Sequence, residues 1–379
     1  MRVCIVYDCL FPHTIGGAER WYRNLAERLA ADGHEVTYLT LRQWDGDPGV
    51  AGVRVVPVGP RLELYTRGGR RRLLPPLVFG LGVLGHLLRC RRRYDVVHTA
   101  SFPYFSLLAA AVGRPWTRFR LVVDWHEVWT RAYWLEYAGP VAGRIGWWVQ
   151  GAGLRVRQRA FCFSRLHDRR LRELGLRGEL TRLAGQYTGT VEASEPLEAR
   201  PVAVFAGRLV PEKRAAALVP ALARARAEVP ELRAEIYGDG PERIAVQREI
   251  ASLGLNGSVV APGFVPAEQL EQARSSALCL VLPSAREGYG LVVLEAAARG
   301  VPVVVVRGPD NAATELVEDG VNGAIAPTAA PEDLAAAIVR VHRAGPELRR
   351  STLDWFRQNA ERLSFEASYR SVLEAYAGA

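Results

Sequence analysis

The stretch PVAVFAGRLVPEKR, residues 201 to 214, repeats a pattern that also occurs in the first half of the chain. An apolar run of strand length ends at a glycine, and a basic loop follows it before a helical stretch. The loop contains Lys213, the one lysine among 49 basic residues. This stretch predicts the start of a second α/β domain, and it raises the question of why a lysine stands there.

Short apolar runs alternate with amphipathic helical stretches along the whole chain, which is typical of domains built on parallel sheets. A polar segment without periodicity, residues 189–201, interrupts the alternation. We therefore predict two Rossmann-like domains whose parallel sheets face each other across a cleft, with ligands bound beyond the carboxyl ends of the strands. The predicted bounds are 1–188 for the first domain, 189–200 for a linker, 201–355 for the second domain, and 356–379 for a C-terminal helix that packs back toward the first domain.

The predicted strands are the apolar runs themselves. In the first half they are RVCIVY, EVTYLT, VRVVPV, DVVHTA and FRLVVDW. In the second half they are PVAVFAG, RAEIYGDG, SVVAPGFV, LCLVLPS, VPVVVV and GAIAPT.

Composition sets the class of the protein. The chain has 379 residues, 49% hydrophobic and 23% charged, which suits two globular α/β domains. Its five cysteines form no CxxC pair and no cluster with histidine, so a zinc site and a disulfide framework are not expected. The N-terminal MRVCIVYDCL enters a strand pattern with no signal peptide ahead of it. We expect a cytoplasmic protein, with peripheral attachment to the inner face of the membrane as an alternative.

Charge is distributed unevenly between the halves. Residues 1–198 carry 29 arginines against 18 acidic residues, a net of +11, whereas residues 199–379 carry 20 basic against 22 acidic residues, a net of −2. The first half therefore attracts anions. Nucleic acid, anionic lipid and phosphorylated substrates all fit this charge taken alone.

The stretch SAREGYGLVVLEAAARG, residues 284 to 300, combines two carboxylates with a glycine-rich helix start. Gly288 and Gly290 let the backbone approach a ligand closely, and a helix that begins near Leu291 offers N–H groups to an anion. Glu287 and Glu295 can accept hydrogen bonds from sugar hydroxyls. An ordinary solvated helix start explains the same acidic residues equally well.

The loop in FAGRLVPEKR places Arg208 and Lys213 after a strand. Cations fixed beside a departing diphosphate stabilise the transition state more than the ground state. Arginine offers a planar fork and lysine a compact point charge, so the two are not interchangeable at a leaving group. The alternative is that one lysine survived by chance in a chain biased toward arginine codons.

In this order and spacing, the two stretches resemble the retaining nucleotide-sugar glycosyltransferases of family four, which have the GT-B fold. The likeness extends over nearly the whole chain. It includes GGAER at residues 16–20, DVVHTA, VVDWHE, YGDGPER, GFVP and LVEDGVNG. The segment TRLAGQYTGTVEAS departs from the turn that this family often shows before its second domain, so no contacts are carried over for it.

The resemblance implies that residues 1–188 form the acceptor-side domain and residues 201–355 the nucleotide-sugar-binding domain, and it also implies a donor site. Arg208 and Lys213 would bind the donor diphosphate, and Gly16 and Gly17 would close over it from the first domain. The reaction would be a front-side displacement in which the leaving phosphate accepts the proton of the acceptor. No metal and no other cofactor would be needed.

The resemblance also implies how the rest of the donor is held. Glu295 would bind the ribose, Glu287 the hydroxyls of the donor sugar, and His126 would lie against the sugar. The backbone near the sugar would come from Gly288, Tyr289, Gly290 and Leu291. The acceptor is not identified by the sequence: a glycolipid, an envelope glycan and a secondary metabolite are all open. A lipid-linked or phosphorylated acceptor would be attracted to the basic first half, and nucleic acid is not expected as a partner.

Four alternatives to a hexose-transferring enzyme stand beside this prediction. A GT-B phosphorylase or a nucleotide-sugar epimerase would share the donor site. A non-catalytic anion-binding or membrane-binding protein would need only the basic half. A dinucleotide oxidoreductase is disfavoured, because Gly16-Gly17 does not form a GxGxxG fingerprint after the first strand.

Two further segments carry open interpretations. Residues 70–93 place an apolar run between arginine clusters; it is too short to span a membrane and would be either a helix packed on the sheet, which we favour, or an element lying on an anionic membrane. The aromatic residues between Trp125 and Tyr137 fit domain packing better than sugar stacking. Trp147 and Trp148 fit domain packing and sugar stacking equally well. Asp45-Gly46-Asp47 mimics a metal-binding D-x-D motif but is predicted as a surface turn.

Overall fold

The computed structural model describes residues 1–66, 68–90, 93–189 and 196–378. These residues fall into two compact units. One unit comprises 1–66, 70–184 and 367–378, and the other comprises 68–69 and 185–366. Of the predicted linker 189–200, residues 190–195 lie outside the described residues. The division falls at residue 185 because Gly185 packs against the backbone of Leu363 and Ser364 in the second unit.

The first unit is built on a parallel sheet of order β3-β2-β1-β4-β5-β6-β7. Its central strands are apolar on both faces, as strands covered by helices on both sides must be. In β1, for example, the four residues after Arg2 are completely buried. The strands are β1 (Arg2–Val6), β2 (Glu35–Leu41), β3 (Arg54–Gly59), β4 (Val96–Ala100), β5 (Arg120–Trp125), β6 (Gln158–Cys162) and β7 (Gly178–Arg182).

The helices of this unit connect successive parallel strands. They are α1 (Gly17–Ala31), α2 (Leu74–Arg89), α3 (Phe105–Thr117), α4 (Arg131–Arg155) and α5 (Arg165–Glu173). Thr130 is the N-cap residue of α4, and its side chain accepts from the amide of Tyr133. The helix is broken at Gly139, where φ is 82° ahead of Pro140. The chain therefore forms two shorter helices within α4, and the second of these starts at Pro140.

The second unit has a parallel sheet of order β10-β9-β8-β11-β13-β15 and a short pair, β12 with β14. Its strands are β8 (Val202–Ala206), β9 (Arg233–Tyr237), β10 (Val259–Gly263), β11 (Cys279–Leu282), β12 (Arg286–Glu287), β13 (Val303–Val306), β14 (Asp310–Asn311) and β15 (Gly323–Ala326). Its helices are α6 (Leu218–Ala225), α7 (Arg243–Ser252), α8 (Ala267–Ser275), α9 (Leu291–Ala297) and α10 (Pro331–Leu363).

The last two helices differ from the prediction in their bounds. The predicted start of the C-terminal helix at residue 356 falls inside α10, where Phe356 is completely buried and packs on the ring of Tyr187 at 5.0 Å. The final helix is α11 (Phe365–Ala377). From Ala367 onward it groups with the first unit, in which Tyr376 contacts His98.

Candidate active site

Loops that follow three strands of the second unit lie against one another at the carboxyl edge of its sheet. The amide of Leu209, after β8, donates to the carbonyl of Asp239, after β9, at 2.9 Å. The amide of Ala285, after β11, donates to the carbonyl of Glu212 at 2.8 Å. Backbone bonds of this kind fix the loops without using side chains. This is the edge at which open parallel sheets bind ligands.

Lys213 and Glu287 form an ion pair at this edge. The Nζ of Lys213 lies 2.5 Å from Oε1 of Glu287, and the hydroxyl of Ser284 donates to the same oxygen at 2.7 Å. The Glu287 side chain is 9% exposed and that of Lys213 is 22% exposed. The sequence predicted both residues as ligand contacts; the structure brings them together and shows that each orients the other.

The turn before α9 depends on glycine. Gly290 has φ of 103°, and a Cβ there would lie 2.7 Å from the Cβ of Ala313, so a larger residue would be both strained and crowded. Asn311 holds the facing segment, accepting from the amide of Ala313 at 3.1 Å and donating to the carbonyl of Ser284 at 3.1 Å. Helix α9 then begins at Leu291, as predicted.

Two residues precede Gly290 in this turn. Gly288 is half-buried, and Tyr289 is buried, which raises the pKa of its phenol. Arg208 lies exposed in the loop after β8.

Glu295 is held by a buried arginine that sequence reasoning missed. Oε2 of Glu295 lies 2.5 Å from Nη1 of Arg274 on α8, and Arg274 also pairs with Glu271. Arg299 reaches the other oxygen of Glu271 at 2.7 Å. Burial lowers the pKa of Arg274, but the two carboxylates outweigh burial and raise it overall. The spacing of Glu271 and Arg274 by three residues on a helix was the available signal.

In the first unit, the predicted glycine loop leads directly into α1. Gly16 is the N-cap residue and Gly17 the first residue of the helix. The carboxylate of Glu19 folds back so closely that a Cβ at Gly16 would overlap it. Glu19 is 7% exposed and lies in the first helical turn, where an acidic group is favoured by the helix dipole. Sequence analysis did not single out Glu19.

His126 follows β5 and lies between aromatic rings. Its ring is parallel to that of Phe163 at 4.9 Å and meets the Tyr22 ring edge-on at 5.7 Å. Burial lowers its pKa, although the nearby Asp124 carboxylate acts in the opposite direction. Among the described residues, its Nε2 atom has no hydrogen-bond partner. The lowered pKa favours the neutral imidazole, whose Nε2 atom is buried.

A second histidine, which sequence reasoning also missed, lies in a fully buried polar network. His98 Nε2 is 2.9 Å from Oδ1 of Asp124, and Trp21 donates to the other carboxylate oxygen at 2.7 Å. The hydroxyl of Tyr376 is 2.6 Å from His98 Nδ1. Burial alone would raise the pKa of Asp124, but His98 and the other partners lower it overall. The network fixes α1 and α11 to the centre of the sheet.

Asp8, after β1, forms a buried ion pair with Arg71. The Arg71 guanidinium lies 5.6 Å from the centre of the Tyr65 ring and 5.5 Å from that of Phe102. Its pKa is raised, because the Asp8 carboxylate outweighs the effect of burial. This pair was not predicted, since Arg71 lies within a run of arginines that suggests solvent exposure.

The aromatic residues between Trp125 and Tyr137 mainly pack within the first unit. Trp125 is buried and donates to Gln158 at 2.9 Å, and Trp134 donates to the buried Gln150 at 3.1 Å. Trp129 packs between the rings of Tyr133 and Tyr137, at 4.8 and 4.9 Å.

No group of three or more His, Cys, Asp and Glu residues in the described ranges is arranged to hold a metal ion. Asp45 and Asp47 are exposed in a turn, where Asp47 accepts from the amide of Gly49 at 2.9 Å and Asp45 pairs with Arg61. The surface-turn interpretation of this D-x-D sequence is confirmed. Metal independence of the reaction stays a prediction.

Comparison with known proteins covers both units. Residues 16–184 match the family described as glycosyl transferase 4-like domain, and residues 190–354 match glycosyl transferases group 1. The GDP-mannose-dependent alpha-(1-6)-phosphatidylinositol monomannoside mannosyltransferase of Mycolicibacterium smegmatis is 38% identical over 133 residues, which is 33% of this chain and 34% of the relative. The chain spans only 14% to 39% of the length of three curated relatives that it matches.

Solved structures show the fold. Sucrose-phosphate synthase from Thermosynechococcus elongatus superposes with a TM-score of 0.80 at 20% identity, over 99% of this chain and 98% of that one. HepE of Anabaena, solved with UDP and glucose, gives 0.73 at 19% identity over the full length of both chains. With two parallel α/β units, these likenesses confirm the predicted fold class. The chain belongs to the family-four glycosyltransferases, which have the GT-B fold.

Proposed function

We propose that this protein is a retaining, metal-independent glycosyltransferase that moves a hexose from a nucleoside diphosphate to an acceptor. The ion pair between Lys213 and Glu287 is the observation that carries this proposal. It joins the loop after β8 to the loop after β11, so that a cation and a carboxylate are both fixed at the ligand-binding edge of the sheet. A sugar diphosphate presents the matching groups, phosphate oxygens beside sugar hydroxyls.

In the proposed reaction, the bond between the anomeric carbon and the diphosphate oxygen breaks while the acceptor oxygen bonds to the same face of that carbon. The acceptor proton passes to an oxygen of the leaving phosphate. Lys213 and Arg208 stabilise the charge that develops on the diphosphate. Fixed cations suit this task because they need no reorganisation as the bond breaks.

Three other side chains hold the donor in the proposal. Glu287, already oriented by Lys213, accepts hydrogen bonds from the sugar, and Glu295 accepts from the ribose while Arg274 holds it in place. His126 contributes a neutral imidazole, because its lowered pKa disfavours the charged form. Its Nε2 atom suits a hydrogen bond with a sugar hydroxyl.

The names of the relatives and the charge of the first half bear on the donor base and on the acceptor. The mannosyltransferase relative is named for GDP-mannose and the Anabaena structure contains UDP, so the diphosphate is the shared element. That relative is also named for a phosphatidylinositol acceptor. Together with the net charge of +11 on residues 1–198, computed as 29 minus 18, this supports a phosphorylated or lipid-linked acceptor in the cytoplasm.

A thermal-shift panel tests the proposal. UDP, GDP, ADP, dTDP and their hexose conjugates are each added in EDTA and again with magnesium. We expect one base family to stabilise the protein in EDTA, by about 2.7 kcal/mol at 100 times its dissociation constant. The Lys213→Ala variant should lose that stabilisation. Absence of any shift, or a shift that requires magnesium, would contradict the proposal.

Assays with the same donor also distinguish the two alternative enzymes, a phosphorylase and an epimerase. Release of a sugar phosphate on addition of inorganic phosphate would indicate a phosphorylase. Conversion of the sugar nucleotide to an isomer without any acceptor would indicate an epimerase.

A further inference from the structure

The outer side of three helices in the first unit carries an apolar surface. Helices α2, α3 and α4 follow β3, β4 and β5, and each leads to the next strand in the same direction across the sheet. Right-handed crossovers in one direction place all three helices on one face of the sheet. Contacts agree with this placement, because Gly80 of α2 packs on Phe105 of α3, and Gly153 of α4 packs on Leu107 of α3.

Large apolar side chains point away from the sheet on all three helices. Exposed fractions run from 42% to 77% for this set, which we call the outer apolar face: Leu74, Leu77 and Leu81 of α2, Trp116 of α3, and Ile145 and Trp148 of α4. The opposite side of α2 packs inward through residues such as Phe79 and Val83, which are completely buried. The interpretation of α2 as a helix packed on the sheet is therefore correct for one side only.

Positive charge borders the outer apolar face. Arg89, Arg118 and Arg155 are exposed at or just beyond the C-terminal ends of the three helices, and Arg144 is exposed on α4 between Val141 and Ile145. These three helices contain one acidic residue, Glu136; α5, which the same crossover rule places on this face, adds Asp168 and Glu173 beside four arginines. An apolar surface with arginines and almost no carboxylates matches the boundary between lipid headgroups and acyl chains in an anionic membrane.

We propose that the outer apolar face docks onto the surface of an anionic lipid membrane, with the three helices lying in the membrane plane. A second copy of the chain fits this face poorly, since the arginines of one copy would meet almost no carboxylates on the other. No described helix is both long enough and apolar enough to cross a membrane. The docking is a property of the first unit and does not depend on the proposed transfer reaction.

Sedimentation with lipid vesicles tests the proposal on the full chain. The protein is mixed with vesicles of phosphatidylcholine alone or with 40% phosphatidylglycerol. We expect binding to the anionic vesicles that weakens as salt rises, because exposed charges are screened. Each arginine near an anionic surface contributes roughly a fivefold factor in partitioning, so Arg89→Gln/Arg118→Gln should bind about 25-fold more weakly.

An apolar variant and a matched control complete the experiment. Leu81→Gln/Trp148→Gln should lose binding at least tenfold, since two of the most exposed apolar side chains are removed. Ile244→Gln/Leu253→Gln removes two exposed apolar side chains of the second unit and should bind like wild type. Melting temperature and UDP binding should stay at the wild-type level in all three variants, which separates docking from the donor site.

Three results would overturn the proposal. One is absence of binding to the anionic vesicles, and another is equal loss in the apolar variant and its control. The third is a concentration-dependent dimer, seen by sedimentation velocity without lipid, that Leu81→Gln/Trp148→Gln abolishes. That last result would assign the outer apolar face to contact between copies of the chain.

Discussion

Replacement of Lys213 separates two kinds of role that a lysine can have at this position. In Lys213→Ala the Glu287 carboxylate keeps its bond from Ser284 at 2.7 Å and loses the ammonium at 2.5 Å. In Lys213→Arg the charge is kept, while a compact ammonium is replaced by a wider planar fork. Comparing the two variants therefore distinguishes the need for charge from the need for shape.

The expected magnitudes follow from burial. Removing one partner from a buried pair costs about 3–5 kcal/mol, because the other charge stays buried without compensation. Glu287 is 9% exposed, but Lys213 is 22% exposed and the Ser284 bond persists, so we expect about 3 kcal/mol for Lys213→Ala. For Lys213→Arg we expect no more than about 1 kcal/mol in stability, with a loss of diphosphate affinity of about tenfold or more.

Urea unfolding measures the first quantity, and calorimetric titration with UDP and GDP in EDTA measures the second. The matched control is Arg214→Lys, which makes the reverse exchange at the adjacent exposed residue. A double-mutant cycle with Glu287→Ala should give a coupling energy of about 2 kcal/mol between the two side chains.

Two outcomes would refute this reasoning. A coupling energy near zero would mean that the ion pair contributes nothing to the fold. Wild-type diphosphate affinity in Lys213→Arg would mean that the lone lysine is an accident of composition.

Three further predictions concern the turn before α9 and the histidines of the first unit. Tyr376→Phe removes the hydroxyl 2.6 Å from buried His98 and should cost about 1–3 kcal/mol in urea unfolding; a change below 0.5 kcal/mol would show that the network tolerates the loss. Gly290→Ala should destabilise the protein by about 2 kcal/mol more than Gly254→Ala, since both have positive φ but only Gly290 is crowded, and equal melting temperatures would contradict this. His126 has a lowered pKa in the fold, so the unfolded chain binds more protons below about pH 6.5, and stability should fall with acidity in that range. His126→Gln should flatten this dependence between pH 7.5 and 5 in urea midpoints, and an unchanged slope would place the titration elsewhere.

Most of the strands that were predicted correctly are buried on both faces, although the partly exposed edge strands β3 and β10 were also predicted. Both units were predicted because a continuous apolar run of strand length, such as that of β1, is typical of a strand buried on both faces of a parallel sheet. β6 was missed because Gln158 and Arg159 interrupt its apolar run, although four of its five residues are buried. β7 was missed because it is not buried. The sequence of β7, GELTR, is exposed or half-buried throughout, because the strand lies at the edge of the sheet and faces water. Nothing apolar marks such a strand.

The site was predictable as a set of residues but not as a set of partners. Loops after strands and a glycine-rich turn identify Lys213 and Glu287 as site candidates. Their contact with each other joins residues that are 74 positions apart, and no local pattern encodes it. Arg71 is a clearer failure, since a run of arginines predicts solvent exposure and its side chain is only 9% exposed. Burial there depends on Asp8, 63 positions away.

The single lysine can now be compared with the arginines that surround it. Arg274 uses separate guanidinium nitrogens for two carboxylates, Glu295 and Glu271, which is what a planar fork does well. Lys213 instead meets one oxygen of Glu287, which also accepts a hydroxyl bond. A compact point charge fits that contact with a single, already shared oxygen. The contact is therefore a physical reason for a lysine at this position, and Lys213→Arg tests it.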